Sequence, residues 1–366
     1  MNIEPIKDWL PVAKKKPIVV SGPCSAESRE QVIETCLAIA ATEKVSVLRA
    51  GIWKPRTRPN SFEGVGEVGL KWLKEASEMT GLPSVVEVAN RQHIELALDQ
   101  GIDMFWIGAR TTVNPFSVQE IADALHGVDI PVFVKNPINP DLQLWIGALE
   151  RLNNAGITKI AAIHRGFSGF DQTVYRNAPK WNFPIELKRQ FPTLPVICDP
   201  SHIGGNRELL SIISQKALDL DMDGLMIECH ISPDEALSDS KQQITPFRLN
   251  EILSDLIVRD KTIKNVKLKT KLEKLRLEID AIDQEILEML TARFRVINEI
   301  GEEKRINAIT ILQVERWNQI LSTRNDLAEK LGLGKEFVST LLETIHKESI
   351  AIQTGIMNEK KVETTS

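Results

Sequence analysis

Cys24, His202, Glu228 and Asp239 are four residues of this 366-residue chain whose types could share one chemical task. A thiolate, an imidazole and two carboxylates suit a borderline divalent ion such as Mn, Fe(II), Co or Zn, and do not single one out. Each stands where an apolar run has just ended. Glu228 follows His202 by about one βα unit, whereas Cys24 lies near the start of the chain, so the four can meet only if distant strands are brought side by side. A second set is cationic: Arg49, Lys54, Arg56, Arg110, Lys135 and Arg165 follow other apolar runs, with the acidic Glu87 among them. So many cations in one cleft repel one another unless anions are bound, and guanidinium forks suit phosphate and carboxylate. Two anionic substrates, at least one of them phosphorylated, are expected.

The elements that must position these groups are legible from Pro17 to about Ala236. Short apolar or β-branched runs alternate with helical stretches: Ile18 to Val20, Val45 to Leu48, Ser84 to Val88, Met104 to Ile107, Val132 to Val134, Lys159 to Ile163, Val196 to Cys198 and Gly224 to Ile227. Most are apolar throughout, as parallel strands buried on both faces should be. Eight βα repeats favour a closed (β/α)8 TIM barrel over an open doubly wound sheet, and no G-x-G-x-x-G follows the first strand. Closure sets the eighth strand beside the first, which brings Cys24 within reach of His202 and Glu228. In such a barrel the site lies at the C-terminal ends of the strands, where the polar residues fall.

Beyond Ile257 the pattern changes. Arg259 to Lys269 is polar, and from Leu272 through Leu275, Ile279, Ile282, Ile286, Met289, Val296 and Ile300 apolar residues recur every three or four positions, which predicts one long amphipathic helix. Two shorter helices are expected over Gln313 to Leu331 and Lys335 to Gln353, parted by Gly332 and Gly334. The expected organisation is a barrel over 1–258, a linker over 259–269, an all-α three-helix domain over 270–355 and a frayed tail over 356–366. Arg293 interrupts the apolar seam, where a charge is costly unless it meets an anion. Lys304 lies about 20° from it around a helix, so both can face one ligand, whereas Arg276 is roughly 25 Å away along the axis and would have to serve a site made with another chain.

The net charge of -5 argues against nucleic acid or an anionic membrane as a partner. No apolar stretch approaches the roughly 20 residues of a membrane span, and Met1 to Lys16 lacks a signal-peptide core. Four cysteines, Cys24, Cys36, Cys198 and Cys229, are too few for a disulfide framework, and a cytoplasmic protein is expected.

The barrel residues carry a resemblance. G-P-C-S at 22–25, R-A-G-x-x-K-P-R-T at 49–57, G-A-R at 108–110, H-R-G at 164–166, D-P-S-H at 199–202, E-x-H from 228 and A-L-S-D at 236–239 resemble the 3-deoxy-D-arabino-heptulosonate 7-phosphate (DAHP) synthases of type Iβ. K-P-R-T discriminates, because the related 3-deoxy-octulosonate 8-phosphate synthases carry K-x-N-R-S-S there. The resemblance implies metal-dependent condensation of phosphoenolpyruvate with erythrose 4-phosphate, releasing phosphate, as the first step of the shikimate pathway. It implies metal ligation by Cys24, His202, Glu228 and Asp239, with Mn favoured. Phosphoenolpyruvate would be held by Arg49, Lys54, Arg110, Lys135 and Arg165 with Glu87 nearby, and the erythrose phosphate by Arg56 and Thr57. Lys54 is the candidate proton donor to the new hydroxyl.

The helical part resembles the type II chorismate mutases through L-R-x-x-I-D-x-I-D at 275–283, A-R at 292–293, Lys304, E-R at 315–316 and E-S-x-x-x-Q at 348–353. Chorismate would be bound by Arg293, Lys304, Gln313, Arg316, Ser349 and Gln353 with Arg276 from a partner, in an intertwined homodimer. Rearrangement to prephenate needs no nucleophile, only a compact conformer and donors at the ether oxygen, here Lys304 and Gln353. Some members carry an acid at the positions of Gln313 and Trp317, where this chain has none. The competing expectation is a barrel enzyme whose helical domain is a non-catalytic dimerisation or ligand-sensing module. Feedback by prephenate or chorismate through the helical domain is a further expectation.

Overall fold

The computed structural model describes residues 1–10, 17–54, 62–169, 173–259 and 266–358. The chain divides into two compact units, Met1–Lys261 and Thr262–Ser366.

In the first unit eight parallel strands close into a barrel in sequence order: β1 (Ile18–Gly22), β2 (Val47–Ala50), β3 (Ser84–Val88), β4 (Met104–Ile107), β5 (Val132–Lys135), β6 (Ile160–His164), β7 (Val196–Cys198) and β8 (Gly224–Glu228). The closing ladder runs from Ile18 opposite Gly224 to Gly22 opposite Glu228. Successive side chains of a strand point to opposite faces, and this alternation makes two apolar layers. Val20, Val47, Val85, Met104, Trp106, Phe133, Ala161, Ile163, Ile197 and Met226 fill the barrel, joined from below by Leu10, Ile6 and Trp9 of the N-terminal segment. Val19, Leu48, Val86, Phe105, Val134, Ala162, Val196 and Leu225 face the surrounding helices. Several of those helices start on their own side-chain caps: Ser28, Asn90, Asn114, Asp141 and Asp199 each accept from a first-turn N–H, a bond worth about 1 kcal/mol apiece.

The second unit is three helices, Val266–Ile306, Val314–Lys330 and Lys335–Asn358. The long helix begins within the stretch expected to be linker, and the last runs through Gln353 to Asn358, three residues into the expected tail; 359–366 lie outside the described residues. Among the described residues of this unit, its apolar seam is left exposed. Ile279 is 56% and Met289 65% exposed, and Leu275, Ile282, Ile286, Val296 and Ile300 are exposed with them. Long and last helices approach closely at Gly301, where a Cβ would stand 2.6 Å from Ile356 Cδ1 and 3.3 Å from Gln353 Cγ. Only glycine admits that packing without a shift of the neighbours.

Candidate active sites

The pleat that fills the barrel also builds the mouth above it. Val47, Val85, Phe133, Ile163, Ile197 and Met226 point inward, so the residues two positions on, Arg49, Glu87, Lys135, Arg165, Asp199 and Glu228, rise on the same face one layer higher. Arg49, Glu87, Lys135 and Glu228 are thus the last inward positions inside their strands. The sequence runs for β2 and β5 had ended short of Arg49 and Lys135 because the strands stay ladder-bonded through these charges.

Cys24, Glu228, His202 and Asp239 converge as two facing pairs. His202 Nε2 lies 3.9 Å from Glu228 Oε1, and Cys24 Sγ lies 3.4 Å from Asp239 Oδ2. Outer partners fix three of the four. Asp199 caps the turn carrying His202 and holds its Nδ1 at 3.0 Å, which leaves Nε2 directed at the site. Gln242 donates to Glu228 Oε2 at 2.6 Å, and Arg176 donates to Asp239 Oδ1 and Gln242 Oε1, each at 2.8 Å. Glu228 Oε1 is buried and accepts no hydrogen bond. Among the described residues no group of three or more His, Cys, Asp or Glu stands at metal-holding spacing; Cys24 and Asp239 are held instead by Lys54 and Arg176. The donor set nonetheless fits a divalent ion: one thiol, one imidazole with its second nitrogen anchored, and two carboxylates, one with a buried oxygen that accepts no hydrogen bond.

Electrostatics follow from burial and charge. Burial, aided by Glu228, pushes the Cys24 thiol up to about 12 against the opposing pull of Lys54. Burial raises the carboxyls of Glu228 and Asp239, but His202, Arg49 and Lys54 around Glu228 and Arg176 on Asp239 outweigh it, and both are held below their ordinary values. Asp199 is likewise buried, and its neighbours His202 and Lys135 hold it well below the usual range.

The cations form the opposite wall. Arg49, 1% exposed, places Nη2 3.3 Å from Glu228 Oε1, and its Nε and Nη1 are buried without partners. Its guanidinium lies 4.8 Å from the Trp106 ring centre, and the Lys135 ammonium lies 5.7 Å from the same ring, so one indole backs both charges. Lys135 pairs with Asp199 at 2.9 Å. Arg165 donates to Asn177 Oδ1 at 2.9 Å, and burial lowers its pKa to about 10, so it stays charged. Glu87 accepts from Trp106 Nε1 at 3.0 Å, and a Cβ on Gly108 would stand 2.0 Å from Glu87 Oε1. Arg110 stands exposed on the short helix Ala109–Thr112. Arg56 and Thr57 lie outside the described residues.

Three supporting residues were not singled out in the sequence. Asp199 sits inside the D-P-S-H motif, and its place two residues after an inward-facing Ile197 could have marked it. Arg176 and Gln242 come from loops after β6 and β8, where no period points to a site.

In the helical unit Arg293 donates to Ser349 Oγ at 2.8 Å, so the long and last helices meet where both residues were expected to bind a ligand. Gln353 Nε2 donates to Ser349 O at 3.2 Å, and Lys304 donates to Ile311 O at 2.6 Å. Arg316 is turned to Gln319 on its own helix, Gln313 is exposed at the start of that helix, and Arg276 is exposed on the long helix. The geometry therefore groups Arg293, Ser349 and Gln353 and does not gather Arg276, Gln313 or Arg316 with them.

Comparison with known proteins agrees with both halves. Residues 10–265 match the DAHP synthetase I family and residues 275–354 match chorismate mutase type II. A phospho-2-dehydro-3-deoxyheptonate aldolase of Thermotoga maritima is 33% identical over 238 residues, 65% of this chain and 68% of that protein. A 2-dehydro-3-deoxyphosphooctonate aldolase of Nitratidesulfovibrio vulgaris is 27% identical, over 65% of this chain and 90% of its own. The crystal structure of the Thermotoga maritima DAHP synthase superposes with a TM-score of 0.59 at 32% identity, covering 65% of this chain and 67% of that one. A closed barrel with the strand-end groups described above, followed by helices that match a mutase, places the chain in the DAHP synthetase I family, as a bifunctional enzyme with a C-terminal chorismate mutase domain.

Proposed function

We propose that the barrel condenses phosphoenolpyruvate with erythrose 4-phosphate, releasing phosphate, in a metal-dependent reaction. The observation that carries this reading is one buried meeting point: Glu228 Oε1, which accepts no hydrogen bond, faces His202 Nε2 and Nη2 of Arg49, a guanidinium whose Nε and Nη1 have no hydrogen-bond partner. A divalent ion held by Cys24, His202, Glu228 and Asp239, with Mn favoured, would polarise the aldehyde as a Lewis acid. Arg49, Lys135 and Arg165, with Arg110 at the rim, hold the carboxylate and phosphate of phosphoenolpyruvate, and Arg56 and Thr57 take the phosphate of the sugar. Glu87, fixed by Trp106, balances the charge of this wall. Lys54, whose ammonium donates to Cys24 Sγ, gives a proton to the new hydroxyl, water completes the ketose, and phosphate leaves. Chelator-treated protein should lose phosphate release and regain it with added Mn; full activity in verified metal-free protein overturns the metal requirement.

The helical unit, in this reading, rearranges chorismate to prephenate, with Arg293 and Ser349 holding a carboxylate and Lys304 and Gln353 serving the ether oxygen. Its exposed apolar seam supports a homodimer in which a second copy covers the long helix and supplies Arg276, and in which Gln313 and Arg316 close onto the substrate. Arg293→Ala should abolish mutase activity and leave phosphate release intact. Prephenate or chorismate would act as feedback inhibitor through this unit; a chain ending near Arg259 that folds and is still equally inhibited overturns that link. The four cysteines are all free, which supports a cytoplasmic setting, and no described helix is long and apolar enough to cross a membrane.

A further inference from the structure

Among the described residues of the helical unit two buried polar side-chain atoms lack a hydrogen-bond partner, His346 Nε2 and Gln353 Oε1. Both belong to the last helix. With Ser349 between them they are spaced by three and four residues, so the three share one face. That face meets the long helix at Arg293, which bonds Ser349, and at Gly301, which abuts Gln353. From the middle helix Trp317 lies flat on His346, with ring centres 3.9 Å apart and planes 11° apart. The imidazole is therefore oriented by packing and not by a protein hydrogen bond at Nε2, and a buried nitrogen left in that state destabilises the fold unless a ligand satisfies it. Burial, together with the charges of Arg293 and Lys304, keeps His346 below its ordinary pKa, which favours the neutral imidazole. A neutral imidazole beside two cations is suited to a neutral hydroxyl, because the cations take the carboxylates.

We propose that His346, held by its stack on Trp317, is a substrate-contacting residue of the mutase site, and that its Nε2 pairs with the ring hydroxyl of the bound dicarboxylate. This assignment rests on the chorismate reading of the pocket. It gives the hydroxyl a partner in a chain where Gln313 and Trp317 offer no carboxylate. It also gives Trp317 a task, as the flat wall that fixes the ring.

The test uses the whole chain with three variants, His346→Phe, His346→Gln and Arg293→Ala, and phosphate release from the barrel as a control. Phe keeps the stack and removes the nitrogens, so kcat/KM for chorismate should fall by ~10–100-fold, and Gln should restore part of the loss. A chorismate analogue with hydrogen in place of the ring hydroxyl should bind wild type about tenfold more weakly than chorismate and bind His346→Phe with no such difference. Activity of His346→Phe within about twofold of wild type, alongside loss in Arg293→Ala, overturns the role of His346 and leaves the mutase reading standing. Equal losses in Phe and Gln, with discrimination against the analogue retained, reduce His346 to packing and overturn it too. Full activity in Arg293→Ala removes the mutase reading itself, and this inference with it.

Discussion

The Lys54 ammonium donates to the Cys24 sulfur at 2.8 Å, and yet burial keeps that thiol protonated, pushed up to about 12. Ligation of a metal would have to displace both the proton and the lysine. Cys24→Ser should therefore weaken Mn binding by more than the roughly 10–100-fold that loss of an outer partner costs. Chelator competition on the intact chain reads this directly, and unchanged affinity would remove Cys24 from the ligand set.

Asp199 serves both walls of the barrel site, through His202 Nδ1 and the Lys135 ammonium. Asp199→Asn should lower phosphate release by ~10–100-fold through misdirected His202 and an unbalanced Lys135. Metal affinity and the KM for phosphoenolpyruvate should both worsen; a change in only one would show that Asp199 supports a single wall.

His164 is buried among Trp145, Phe167 and Trp181, and burial lowers its pKa from 6.5 to about 3. As pH falls below 6.5 the unfolded chain takes up a proton that the native state refuses. Its contribution is fully present above pH 6.5 and is lost through the window down to about 3, at about 1.4 kcal/mol per pH unit. His164→Phe should flatten the fall in urea stability between about pH 6.5 and 5. A slope equal to wild type there would assign the acid sensitivity elsewhere.

If Arg276 serves a partner's site, Arg276→Ala and Arg293→Ala chains should each be inactive as mutases but complement when refolded together. Random pairing gives half mixed dimers, each with one intact site, and hence roughly a quarter of wild-type activity. No recovery on mixing would place Arg276 outside the site.

Much of the barrel was legible because its strands are buried on both faces, which leaves continuous apolar runs that periodicity can find. The strand ends were less so. Val45 and Ser46 read as strand but precede β2, while Arg49 and Lys135 are charged and yet remain in the ladder. Candidate residues that ride on the strands, such as Arg49 and Glu228, could be placed at the barrel mouth by position. Arg176 and Gln242 could not, since their loops are placed by contacts made only after closure. In the helical unit the period marked the long helix correctly, but an apolar seam does not say whether it is covered by its own chain. Among the described residues of this unit it stays exposed, and His346 stayed hidden because a histidine on an amphipathic helix carries no signal of its own.

Cys24 and Asp239 are 215 residues apart in sequence and 3.4 Å apart in the fold. On a ribosome adding about 5–20 residues per second, some 10–40 s separate their appearance. β8 is the last strand of the barrel to be synthesised, so, if these residues hold a metal, a nascent barrel cannot offer all four of them until that strand and the following loop have left the tunnel. Metal capture would thus report completed closure of the barrel, and an ion supplied during synthesis could bind tightly only to chains that have already finished that step.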